Sequence, residues 1–261
     1  MPASQAPTGD NPTGSDDRDK PQVSLWERLA RPAPTPRTTL TPHRIAEAAV
    51  AIADTEGLDA VTMRRLATAL GVAPMAAYRY VSGKDELIEL MVDFAYGQLP
   101  LDTPADSWRE AMHSMAVHLR AMNLAHPWTV RAGAQWTVRA ATQFFLSPNQ
   151  LAVPERAFAA LAESGLDADT TMAVFRTVSG YVHGSVAAEI ALQTLRGDNG
   201  WSDGDETRAG LAPRMSYLMG TGRYPNYQHY LHQATRKDDP DWQFETGLAC
   251  VLDGIAAHFG I

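Results

Sequence analysis

Between Thr62 and Leu87 the chain reads TMRRLATALGVAPMAAYRYVSGKDEL, which gathers Arg64, Arg65, Tyr78, Arg79, Tyr80 and Lys84 in one short stretch. Guanidinium, ammonium and phenol groups are hydrogen-bond donors, and together they suit phosphate oxygens and the acceptor edges of bases. An arginine on the supporting helix, Arg64, has the planar fork that pairs with guanine O6 and N7. The small residues of APMAA let a backbone come close to base edges, and Ala76 offers a methyl for thymine. Lys84, at the start of a helix, suits a phosphate. Arg65 lies about 100° round the helix from Arg64 and is expected in a surface ion pair instead. The same residues also fit a solvated helical hairpin with half-buried tyrosines, and the stretch taken alone leaves both uses open.

Whether these donors converge depends on the elements that carry them. Thr41 followed by Pro42 is a helix start and Gly57 a stop, and Ile45, Ala48, Ala49 and Ile52 share one face between them. Thr62 is expected to cap a second helix ending at Leu70, with Met63, Leu66, Ala67 and Leu70 inward. Gly71 then turns the chain into a short third helix from about Pro74 to Tyr80. SGKDEL opens a long fourth helix through Leu87, Ile88, Met91 and Phe94. Two short helices crossing at a glycine turn form the helix-turn-helix plan, whose second helix enters the major groove. Apolar residues recur at helical spacing beyond Leu101, so the fold class is all-α. Further helices are expected near 105–124, 127–146, 152–164, 168–194, 225–235 and 240–258, with residues 196–211, RGDNGWSDGDETRAGL, as a mobile loop.

The formal net charge of -8 is unevenly spread. Residues 21–90 carry eight Lys and Arg against eight Asp and Glu, residues 91–261 twelve against eighteen, and the first twenty two against four. A neutral head therefore precedes an acidic body that a duplex would repel, so any nucleic-acid contact is local to the head. The expected domains are 1–40, a disordered or extended arm; 41–86, the helix-turn-helix; and 87–261, a helical body. Within the arm VSLWERLA has the pattern for two helical turns, and Arg28, Arg31 and Arg37 are read as solubilising charge in a linker in preference to a minor-groove arm. Cys250 stands in an apolar helical stretch and is expected as a buried structural thiol. With neither an apolar span nor a basic and apolar leader, the chain is expected in the cytoplasm.

From LTPHRIAEAAVAIADTEG through TMRRLATALGV and YRYVSGKDEL, the order and spacing of features resembles the N-terminal domain of tetracycline-repressor (TetR) family regulators. The body is similar to that family's ligand-binding and dimerisation domain, through HPW at 126–128, SGYVHGSVAAEIA, YPNYQHYL and FETGLACVLDGIAAH. The resemblance implies a homodimer on a palindromic double-stranded operator, with contacts from Thr62, Arg64, Ala76, Tyr78, Tyr80 and Lys84. It implies dimerisation through helices around 168–194 and 240–258, where Gly180, Gly184, Gly247 and Gly254 invite close packing. It departs from the family pattern in having no long polar side chain in APMAA.

The body is rich in Met and aromatic residues with a few polar handles, the makeup of a small-molecule site. His118, Trp136, Gln143 and Phe175 are the residues expected to line it. No metal and no cofactor is expected: Glu189 falls near a carboxylate of the antibiotic repressors, but VRAGAQW lacks a ligand histidine, and His229 with His232 has no third partner. Neither a nucleophile elbow, a phosphate loop nor a zinc-protease motif is present, which argues against an enzyme. The expected function is a repressor released by an unidentified small-molecule effector; the alternative is a dimeric regulator answering to a protein partner or to no small molecule.

Overall fold

The computed structural model describes residues 24–31, 40–101, 104–130, 132 and 147–261. All regular structure among the described residues is helical. The head contains α2 (Pro42–Glu56), α3 (Met63–Leu70) and α4 (Pro74–Ala77), and it is preceded by a short α1 (Leu25–Ala30). Helix α5 (Lys84–Tyr96) packs on α2 in the head and runs on to α7 (Pro148–Leu161) in the body. The body adds α6 (Trp108–Ala125), α8 (Ala168–Asn199), α9 (Gly204–Gly220), α10 (Pro225–Gln233) and α11 (Pro240–Phe259), with α8 packed against α6, α7 and α11. No described helix is long and apolar enough to cross a membrane.

Local chemistry explains the head. The Thr41 hydroxyl accepts from the Arg44 N–H and Pro42 occupies the first turn, while the Thr62 hydroxyl accepts from the Arg65 N–H. Gly71 ends α3 at φ 65°, a left-handed cap that favours glycine. Ile45, Ala49, Ile52, Leu66 and Ala67 are buried, with Val61, Ala77, Val81 and Leu87 sealing the same core. The third helix is shorter than expected: it closes at Ala77, and residues 78–80 form a turn.

Three expectations need correction. Residues 196–211 are not a loop: α8 runs to Asn199, Gly200 caps it at φ 70°, and Asp203 caps α9 by accepting from the Glu206 N–H. The Gly- and Asp-rich composition there is terminator and initiator chemistry between two helices. Residues 25–30 form the helical turns that VSLWERLA suggests, but not within a disordered or extended arm, because α1 buries Leu25 against the head. Cys250 is exposed, since no described residue covers its side of α11. Asp203→Ala should remove the α9 cap and cost about 1 kcal/mol, read as a lower urea midpoint with an unchanged slope.

Candidate nucleic-acid interface

Arg64 is exposed at the start of α3, and Lys84 is exposed at the start of α5. Met75 is 71% and Tyr78 44% exposed, and Arg79 beside them is exposed too, so the turn after α4 carries donors into solvent on a rigid base. Thr62 is exposed as well. Its oxygen accepts the cap hydrogen bond, which leaves its proton free for an acceptor oxygen. Ala76 is half-buried against the core. Arg65 forms the surface pair its position suggests, a two-pronged contact with Glu56 at 2.6 and 3.1 Å. That hydrogen bond, with the charge of Arg65 beside it, holds the Glu56 carboxyl below its ordinary range against the opposing effect of burial.

Tyr80 stands apart from the other expected contacts. Its hydroxyl donates to the Leu40 carbonyl at 2.8 Å, and the ring is half-buried. A phenol has one proton and phosphate offers only acceptors, so Tyr80 braces the recognition turn against the start of α2. Sequence periodicity had no view of a carbonyl forty positions away.

Two features of this interface lay outside the sequence reading. Glu86 accepts from the Ser82 N–H at 2.6 Å and from Arg28 of α1 at 2.5 Å. Burial raises the Glu86 carboxyl, but the bonds from Arg28 and Ser82 outweigh it and the net shift is downward. The Glu86 charge, two positions from Lys84, is thereby paired by the N-terminal helix. The second feature is the tie between head and body. Asp54 on α2 receives the His126 ring at 2.9 Å and the Trp128 indole N–H at 2.7 Å, with Trp128 buried. HPW therefore reads as a clasp. Asp54→Ala would leave the buried indole N–H without its acceptor and should cost about 1–3 kcal/mol, seen as a fall in Tm with the helical circular dichroism retained.

The expected effector-lining residues divide. His118 is half-buried, with its Nδ1 3.3 Å from the Ser114 hydroxyl. Phe175 is sealed in the core, edge-on to Phe158. Trp136 and Gln143 lie outside the described residues. Glu189 is held by Arg120 at 3.0 Å, and Arg120 also reaches Asp241 at 2.7 Å and stacks on Phe244, tying α6, α8 and α11 together. Among the described residues no group of three or more His, Cys, Asp or Glu is placed to hold a metal ion.

On α8 and α11, a Cβ at Gly180, Gly184 or Gly254 would meet nothing within 4 Å among the described residues, and Ala188, Ala249, Cys250 and Ala257 are exposed around them. Gly247 differs: a Cβ there would strike the Tyr181 hydroxyl, which lies across it to donate to the Phe244 carbonyl at 2.7 Å. Helices α9 and α10 bury one residue between them, Thr207, and leave Tyr217, Tyr224, Tyr227 and Tyr230 exposed.

Two family models match the chain. Residues 45–91 match the bacterial regulatory proteins of the tetR family, and residues 99–259 match the tetracyclin repressor-like C-terminal domain. The HTH-type transcriptional repressor DrrR1 of Streptomyces coeruleorubidus is 34% identical, covering 93% of this chain and 87% of its own. The class A tetracycline repressor protein from transposon 1721 in Escherichia coli is 26% identical over 84% of this chain and 92% of its own. Among solved structures, the Streptomyces coelicolor TetR family protein ActR in complex with actinorhodin superposes with a TM-score of 0.66 at 27% identity, covering 85% of this chain and 97% of that one.

Proposed function

The chain belongs to the tetR family of bacterial regulatory proteins and is a DNA-binding transcriptional regulator, not an enzyme; from that premise we propose that it is a homodimeric repressor of a palindromic operator, released by a small molecule held in its body. One observation carries the reading. Arg64, Met75, Tyr78, Arg79 and Lys84 stand exposed around the α3–α4 turn, while the residues between them form the head core. Arg64 is the base reader; Thr62, Tyr78 and Lys84 contact phosphate; and Ala76 presents a methyl to the groove. Tyr80 positions the turn.

Dimerisation is supported by physical incompleteness of the single chain. Among the described residues nothing covers the small-residue faces of α8 and α11, and helices as exposed as α9 and α10 are marginal in water without a packing partner. A second copy paired two-fold along α8 and α11 would cover the first, bring α9 and α10 against the partner, and set two heads on successive major grooves about 34 Å apart. Release by an effector fits the Asp54 clasp, which joins the end of α6 to α2: a ligand that favours a shifted α6 end favours a wrongly spaced pair of heads. ActR, solved with actinorhodin, has an occupied ligand site on a similar fold. His118, Trp136, Gln143 and Phe175 remain the residues assigned to this chain's effector region, with Phe175 contributing as wall packing.

Selection of bound fragments from random DNA tests the reading. Two inverted half-sites one helical turn apart are expected, with binding weakened by a metabolite that also raises Tm. Uniform weak affinity for all fragments would overturn it, and a recovered palindrome that no small molecule releases would favour the regulator that answers to a protein partner or to nothing.

A further inference from the structure

A cleft of about 520 Å³ opens where α1, α2, α5 and the start of α7 meet, and none of the residues lining it comes from the body helices α6 and α8. Its volume falls in the range of pockets that take small organic molecules. Trp26 and Leu29 of α1 form one wall, and His43 and Phe94, edge to face with ring centroids 5.0 Å apart, form another. Asp93 and Asn149 complete the lining.

Asp93 gives the cleft its sign. It is 9% exposed, and both its oxygens accept from Asn149: Oδ1 from the backbone N–H at 2.8 Å and Oδ2 from the side-chain amide at 2.9 Å. Those donors are neutral, and no described cation forms an ion pair with Asp93, so among the described residues its carboxyl oxygens are met by amide dipoles. One turn earlier Glu89 accepts the Trp26 indole N–H. Burial pushes the Glu89 carboxyl up, and the neighbouring Glu86 and Asp93 add to the rise, against the Trp26 bond and Arg28. Arg28 itself is paired with Glu86. Carboxylate charge in a low-dielectric wall, beside an indole and a phenyl ring, is the environment that stabilises a cation with a large apolar body, through Coulomb attraction and the negative faces of the rings.

We propose that this cleft is a binding site for a bulky organic cation, with Trp26 and Phe94 packing its apolar groups and Asp93 facing its charge. The site is separate from the effector region assigned under the proposed function and does not depend on it. Because its walls come from α1 and α2 on the head side and α7 on the body side, an occupant would bridge the two and favour one setting of the head.

The test is a calorimetric titration of the full chain with tetraphenylphosphonium, and in parallel with tetraphenylborate, an anion of nearly the same shape. The phosphonium is expected to bind at least tenfold more tightly than the borate. Trp26→Ala and Asp93→Asn should each weaken it fivefold or more, and Trp26→Phe, which keeps an aromatic wall, should recover much of the loss. If Asp93→Asn does not fold, as judged by circular dichroism, Glu89→Gln takes its place, with a threefold or greater weakening expected. Three results would overturn the proposal: no phosphonium binding, equal affinity for the borate, or parental affinity in the Trp26 and carboxylate variants. None of these readouts involves DNA, so they stand apart from the outcome of operator selection.

Discussion

Arg64→Ala is expected to weaken binding to the selected operator by about 1–3 kcal/mol, roughly 5- to 150-fold, because a bidentate guanine contact is worth that much discrimination. The loss should be concentrated on the cognate sequence, and one base position in each half-site should become degenerate on reselection. Lys84→Ala should act differently: affinity falls for every sequence alike and the slope of log affinity against log salt drops by about 1 per head. Arg65→Ala supplies the comparison. Its side chain is spent on Glu56 in an exposed pair, and such pairs contribute little, so operator affinity should stay close to the parent's. Fluorescence anisotropy at fixed salt, with cognate and scrambled duplexes, separates the three. Equal losses for Arg64→Ala and Arg65→Ala would remove the orientation assigned to α3.

Gly184→Leu carries the second large effect. Glycine inside a helix costs about 1 kcal/mol relative to alanine, and no described residue lies within 4 Å of a Cβ at Gly180 or Gly184. A single chain would therefore gain from a larger residue at either site. A two-fold dimer closing on this face would lose: overpacking costs about 1–3 kcal/mol per site, and each site occurs twice in an isologous interface. A loss of about 2 kcal/mol or more raises the dimer dissociation constant roughly 30-fold. Sedimentation velocity should show a shift toward monomer at low micromolar protein, with operator affinity falling in parallel because one head cannot hold two half-sites. A helix-stabilised variant that still sediments as a dimer would move the interface elsewhere.

The head was legible in the sequence because its punctuation is local. Thr41 with Pro42, Thr62 and Gly71 each act within four residues of where they stand, so their spacing alone places α2 and α3. The body was harder for the same reason. Between Arg196 and Leu211 the composition suggested a loop, yet Gly200 and Asp203 are the end of one helix and the start of the next; caps and loops use the same residue types, and only the backbone distinguishes them. Long-range partners were hidden altogether. Nothing near Tyr80 in sequence shows the Leu40 carbonyl to which its hydroxyl donates, and although VSLWERLA has the pattern of a helix, nothing near it shows Glu86 and Glu89, some sixty positions away, which hold α1 to the head. Cys250 sits in an apolar run, but that run belongs to a helix that the described residues cover on the side of Phe244, Leu248, Leu252 and Ile255.

Helix α2 has its two ends occupied by unlike things. Asp54 near one end holds His126 and Trp128, and Leu40 just ahead of the other holds the Tyr80 hydroxyl. Fifteen residues make a rod about 22 Å long, too stiff to absorb a nudge along its axis, so a push delivered at the clasp would emerge at the recognition turn. Substitutions along the rod's buried side, remote from duplex and inducer alike, are then the place where a lineage could retune how strongly one is heard by the other while leaving both vocabularies intact.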